Sequence, residues 1–195
     1  MATNEQRTVR TRASLLKAAR AEFAAHGYAD AATTAIVSRA GATRGALYHH
    51  FKDKLALFDA VVEAEDARLS QLIDDATEDM PDAFKSLRHG IGIYLDTATA
   101  PATRRILMLD GPSALGWTRW REIQSRHSLR TLREGLEAAQ AQGALTPDLS
   151  VPVTASLFAA ALDEAVHVIA ESRNRKQARA QAVAAAEAML DGLKA

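Results

Sequence analysis

Apolar residues recur at three- and four-residue spacing along most of the chain, the periodicity of helices that each bury one face. Leu15, Leu16, Ala19 and Phe23 form the first such stripe and predict a helix from about Arg7 to His26, closed by Gly27 as a C-terminal cap residue. A second helix of about eight residues, Thr33 to Ala40, carries Ile36 and Ala40 on one side, with Asp30 or Thr33 as its cap. Gly41 supplies a tight turn, Thr43 an N-cap, and a third helix spans Arg44 to Phe51. The fourth begins near Asp53, which caps it, and runs to about Thr77 on the stripes Leu55, Phe58, Val62 and Leu69, Leu72, Ile73. Helix five starts beside Pro81 and carries Phe84, Leu87, Ile91, Tyr94 and Leu95. Pro101 opens a short helix six, broken at Gly111-Pro112, and a long helix seven runs from about Trp117 to Gln142. Two last helices cover about Pro152 to Ala170 and Arg173 to Leu193. The pattern is that of an all-α protein of about nine helices.

Composition agrees. Apolar residues make up 48% and charged ones 25%, a globular balance, while aromatic content of 5% and sparse strand formers argue against sheets. With no cysteine there is no disulfide framework, thiolate metal site or thiol nucleophile. The stretch from Met1 to Arg12 is polar and basic, which excludes a signal peptide, and no run approaches the ~18 apolar residues of a membrane span. A cytoplasmic protein without membrane contact is the expectation. Net charge is zero, but it is unevenly shared. Residues 1–62 hold nine Lys/Arg against five Asp/Glu, and the 24 of each in the whole chain leave fifteen against nineteen for the remainder. A basic module on an acidic body is what results when one end meets phosphates.

The third helix sharpens that suggestion. Its only apolar pair at helical spacing, Leu47 and Phe51, anchors one face, so the rest must look outward. Gly45 and His49 lie roughly opposite the anchor, and Arg44 and Tyr48 flank it. Gly45 and Ala46 let a backbone press close to a partner, with Arg44, Tyr48, His49 and Lys54 offering donors around the gap, an arrangement that suits a DNA groove. Two short helices joined by a glycine-containing turn form a helix-turn-helix signature, and both are too short to persist without tertiary packing.

Ala40-Gly41-Ala42-Thr43-Arg44-Gly45-Ala46-Leu47-Tyr48-His49-His50-Phe51-Lys52-Asp53-Lys54, followed by Leu57 and Phe58, resembles the DNA-binding motif of the tetracycline-repressor (TetR/AcrR) family of bacterial transcriptional regulators. The resemblance covers about residues 10 to 62; the rest matches in helix count and order. It implies a helix-turn-helix DNA-binding domain over residues 1–54 and a helical ligand-binding and dimerisation domain over 55–195, linked by the helix from 53. It implies a homodimer reading a palindromic operator in double-stranded DNA, and a small-molecule effector that binds among helices four to seven and shifts helix four. By the same resemblance Thr43 and Arg44 open the recognition helix, with Arg44 a candidate for bidentate contact to guanine. Gly45 and Ala46 allow close approach, and Tyr48, His49 and Lys54 bind phosphates, as Thr33 and Thr34 do from the second helix. In the family that helix usually begins with Thr or Ser about ten residues before the glycine, where this chain has Ala31 and then Ala32.

In the body, Trp117, Trp120 and His127 are the most suggestive pocket material, with Tyr94, Met108, Phe158 and His167 as further candidates; an aromatic pair three apart on a helix is more often a core feature. Alanine-rich stripes on the last two helices fit either docking on a second copy or the monomer core. Gly111-Pro112-Ser113-Ala114-Leu115-Gly116 has its second glycine one residue late for a nucleophile elbow and no strand before it, so no enzyme is expected. Adjacent His49 and His50 splay about 100° apart, unlike a helical zinc pair, and neither metal nor cofactor is expected. Two functions remain open on the residues alone: a ligand-responsive DNA-binding regulator, or an all-α small-molecule binding protein without DNA activity.

Overall fold

The structure, a computed structural model, describes residues 4–195, and Met1 to Thr3 of the polar N-terminal stretch lie outside the described residues. Helix α1 runs Asn4–Asp30, α2 Thr33–Ala40, α3 Arg44–His50, α4 Lys54–Thr77 and α5 Ala83–Ala98. After them come α6 Pro101–Arg104, a π-helical segment Arg105–Asp110, α7 Gly111–Leu115, α8 Trp117–Arg126, α9 Ser128–Ala141, α10 Val151–Glu171 and α11 Arg175–Asp191. Among the described residues the only extended pairing is one antiparallel bridge, Leu145 with Lys194. The all-α expectation holds.

The chain forms two compact units. One comprises the chain up to Glu65 with Pro101–Trp120, the other Asp66–Ala100 with Arg121–Ala195. In the first, Leu15, Ala19 and Phe23 of α1 are buried with Ile36, Leu47, Leu57 and Phe58, and the Phe23 and Phe58 rings meet edge to face at 4.9 Å. Polar groups lock its helices together. Arg20 of α1 donates two hydrogen bonds to Glu65 of α4, at 2.6 and 2.9 Å, and Thr103 of α6 donates to the same carboxylate at 2.6 Å. Glu65 is buried, and its bonds to Arg20 and Thr103 offset the cost of taking its charge out of water. The second unit packs α5, α9, α10 and α11 around Leu95, Leu136, Ala139, Val166 and Leu190.

Several boundaries depart from the periodicity. Helix α1 extends past His26, but Gly27 interrupts it with φ 79° and ψ 171°, a backbone region essentially confined to glycine. The kink releases the Tyr28 N–H, which donates to Asp110 at 2.8 Å, tying the end of α1 to the π segment. Helix α2 is capped by neither Asp30 nor Thr33; its N-cap is Ala32, which has no side-chain oxygen to give. Helix α5 starts at Ala83, where Asp82 accepts from the Lys85 N–H at 3.0 Å, so Pro81 lies outside the first turn. The break expected at Gly111-Pro112 is instead a change of helical pitch. Pro112 has no N–H for the Met108 carbonyl and its ring would crowd it, and the preceding turn widens to π geometry. The single long helix expected over 117–142 is two, because His127 leaves helical geometry at φ −128° and ψ −100°. The freed Ser128 N–H donates to the buried Asp66 carboxyl at 3.4 Å. Helix α10 also has the length and apolarity of a membrane span, which counting uninterrupted apolar residues missed; Ala155, Phe158, Leu162, Val166 and Ile169 are core residues.

Gly27 takes no side chain without strain, since its φ is positive and a Cβ there would also meet Arg105 at 3.1 Å and Asp110 at 3.2 Å. Gly27→Ala is expected to lower unfolding free energy by about 1–3 kcal/mol, read as a lower urea midpoint at unchanged slope. An unchanged midpoint would mean that the kink is not held by glycine.

Candidate functional site

The outward-facing helix is built from its two ends. At its start Gly41 takes the left-handed conformation, φ 61° and ψ 31°, and its N–H and that of Ala42 close α2 on the carbonyls of Ser38 and Val37. Thr43 then caps α3, accepting the Ala46 N–H at 3.0 Å, as expected. At its end Phe51 turns extended, and Asp53 caps α4 by accepting the Ala56 N–H at 2.7 Å. Leu47 and Phe51 are buried, whereas Thr43, Arg44, Gly45, Tyr48 and His49 are exposed. A Cβ added to Gly45 would meet nothing nearer than Thr43 Oγ1 at 3.8 Å, so nothing within the chain demands glycine there.

The donors are held loosely or from beside. The Arg44 guanidinium lies 5.6 Å from the Tyr48 ring centroid, a cation–π contact that orients it along the outer face. Arg12 of α1 sits 5.3 Å over the Phe51 ring. Lys54 donates to the Ala29 carbonyl at 2.9 Å and lies 5.1 Å over the Tyr28 ring, so α1 fixes its position. On α2, Thr34 is exposed and Thr33 half-buried, while Ala31 is buried in the core.

A second site lies wholly within the other unit. A partly open cavity of about 80 Å³ is walled by residues of α4, α5, α8, α9 and α10, among them Ile73, Leu87, Ile91, Leu132 and Leu162. Its polar groups converge. Tyr94 donates a short hydrogen bond to Asp163, and Gln124, whose carbonyl accepts from Arg121 at 2.8 Å, bonds the same carboxyl through its amide. Burial raises the Asp163 pKa, against the opposing pull of Tyr94, Gln124, Arg121 and His167. Burial, then the neighbouring Asp163 charge, pushes the Tyr94 hydroxyl well above its ordinary value. Close by, Asp66 is pushed up to about 6, chiefly by burial and despite its hydrogen bonds to Ser128.

Of the seven pocket candidates, Tyr94 lines this cavity and the others lie elsewhere. Met108, Trp117 and Trp120 belong to the first unit. Trp120 is core, its indole N–H donating to the Leu107 carbonyl at 2.8 Å, and Trp117 beside it is 65% exposed. Phe158 faces a groove between α10 and α11, His127 marks the α8–α9 break, and His167 is half-buried on α10. Asp163, Asp66 and Gln124 went unread because they stand on three helices with no spacing that links them.

Two family models match the chain: that of bacterial regulatory proteins of the tetR family over residues 15–61, and the tetracyclin repressor-like C-terminal domain over residues 84–193. The chain belongs to the TetR family. A crystal structure of a TetR-family transcriptional regulator from Pectobacterium atrosepticum superposes with a TM-score of 0.81 at 34% identity, over 99% of this chain and 98% of that one. The transcriptional regulator SrpR of Pseudomonas putida is 31% identical over 152 residues, covering 76% of this chain and 70% of that protein. The transcriptional repressor AcnR of Corynebacterium efficiens is 37% identical over 67 residues, and there the match spans only about a third of either protein, 34% and 36%. The first family match contains α2, α3 and the start of α4, and the second contains most of the cavity's walls.

The raised pKa of Asp66 has a signed consequence for this TetR-family chain. Its carboxyl binds a proton more tightly folded than unfolded, so its contribution is fully present below about pH 4 and is lost as pH rises toward 6. Relative to Asp66→Asn, the native protein is expected to lose roughly 3 kcal/mol between pH 4 and pH 7, measured by urea unfolding of both. A difference that does not change with pH would refute the buried, proton-holding Asp66.

Proposed function

We propose that this TetR-family chain is a cytoplasmic homodimeric repressor that binds a palindromic operator through α3 and is released by a small-molecule effector, without catalysing a reaction. The observation that carries this reading is the division of α3 into a buried pair, Leu47 and Phe51, and an outer face of Arg44, Gly45, Tyr48 and His49. On this reading residues 1–54 are the DNA-binding domain and 55–195 the effector and dimer domain. Arg44 reads a guanine edge from the start of α3, with Gly45 and Ala46 allowing the helix into the major groove. Thr33, Thr34, Thr43, Tyr48 and His49 hold phosphates. Lys54 joins them, its ammonium carrying three protons, of which the Ala29 carbonyl takes one.

The dimer forms through α10 and α11. Val153, Leu157 and Val168 of α10 and Met189 of α11 are large apolar side chains left exposed, and Val168 and Met189 line a groove with Phe158, Ala161 and Ala182. An exposed apolar patch of this kind is what a subunit interface covers.

The effector occupies the cavity at Tyr94 and Asp163. Ile73 and Thr77 of α4 wall that cavity, and the same helix starts at Lys54, directly after α3. At about 80 Å³ the space is well under the roughly 300–1,000 Å³ of drug-sized sites, so an effector of that size fits only by moving its walls. A ligand that requires the moved state binds the DNA-competent state less well, and by linkage weakens operator binding by that difference.

Arg44→Ala tests the reading directly. It is expected to cost about 1–3 kcal/mol at one base position per half-site, measured by competition between a bound operator and its single-base variants at fixed salt. Equal losses on specific and random DNA would show that Arg44 contacts phosphate rather than a base.

A further inference from the structure

The cavity's chemistry narrows what can bind in it. Among its lining residues the ionisable groups are Asp163 and Tyr94, and no Lys, Arg or His is among them. The walls are otherwise apolar or hydroxylic, with Thr77 already donating to the Ile73 carbonyl at 2.8 Å and Thr131 paired with Ser70 at 2.6 Å. A carboxylate or phosphate entering this space would meet a carboxyl and no cationic side chain among the lining residues. Asp163 has acceptor capacity left, because a carboxylate offers about four lone-pair sites and Tyr94 and Gln124 supply one donor each.

The charges around Asp163 point the same way. From α4 it is faced by Asp66, from α5 by Tyr94, from α8 by Arg121, and on its own helix by His167; His127 stands near Asp66. Arg121, His127 and His167 draw these carboxyls toward the ionised form, but none of the three lines the cavity. Burial already penalises the ionised form of Asp163, and a bound cation would relieve that penalty.

We propose that the effector is an amine, a small and largely apolar molecule whose ammonium group sits on Asp163 between Tyr94 and Gln124. The inference rests on the reading of this cavity as the effector site. The ammonium donates to the free lone pairs of Asp163, Tyr94 remains a donor to the same carboxyl, and the apolar body lies against Leu87, Ile91 and Leu132.

The test is thermal unfolding of the full chain with three probes that share one ring: benzylamine hydrochloride, benzyl alcohol and sodium benzoate, at equal concentration, pH and ionic strength. The expected order is a rise in Tm with benzylamine at a concentration at least tenfold lower than benzyl alcohol needs, and no rise with benzoate. Asp163→Asn is expected to keep the response to benzyl alcohol and lose the preference for the amine. Equal responses to amine and alcohol, a larger response to benzoate, or an amine preference that survives Asp163→Asn would overturn the proposal while leaving the cavity as effector site. If none of the probes moves Tm, or if the cavity-filling Ala159→Leu responds as the native chain does, the effector-site reading falls and the amine with it. The order of the three probes on the native chain decides the matter even where Asp163→Asn does not fold.

Discussion

A seven-residue helix has no stability of its own in water, and α3 exists because Leu47 and Phe51 are buried in its unit. Everything proposed for DNA recognition depends on that burial. Two side chains hold the inner face, Thr43 satisfies one open amide at the start, and the exposed Arg44, Gly45, Tyr48 and His49 are left on the outer face, where Arg44 meets Tyr48 and His49 meets His50. A helix anchored in this way can change its outer residues without cost to the fold. In the same unit the rings of Phe23 and Tyr28 of α1 pack against Phe58 of α4, and Lys54 bonds the Ala29 carbonyl past the kink at Gly27.

The second unit obeys a different constraint. It buries carboxyls, and a buried carboxyl must be protonated, paired or hydrogen-bonded. Asp66 takes the Ser128 amide that the α8–α9 break sets free, and Asp163 takes Tyr94 and Gln124. The break at His127 and the raised pKa of Asp66 are thus two sides of one arrangement. Such an arrangement costs stability at neutral pH, and Ser128 and Asp163 bring it to the wall of a largely apolar cavity, where function would justify that cost.

What could be read from residue order follows the range of the interactions. Gly41, Thr43 and Asp53 act within three or four residues, so their roles as turn and caps were visible in the string, as was the buried pair Leu47 and Phe51. Features made by distant partners were not. The α8–α9 break needs Asp66, more than sixty residues away, and Asp110 reaches the amide exposed at Gly27 from a comparable distance. The tryptophans were misleading for a related reason: Trp120 is a core residue fixed by the Leu107 carbonyl, and Trp117, on the same helix, faces outward. Nothing in their spacing says which neighbour each will meet. The uncapped start of α2 was not legible, because Asp30 and Thr33 are both cap-forming residue types and the N-cap falls between them, on Ala32.

On the function proposed, two copies of α3 read one symmetric DNA site. Selection of bound sequences from a random double-stranded pool by the full chain, at about 150 mM salt, tests it most directly. The expected result is enrichment of an inverted repeat whose half-sites are spaced by about one helical turn or more. Enrichment of no sequence at any salt, or of a single asymmetric site, would contradict it.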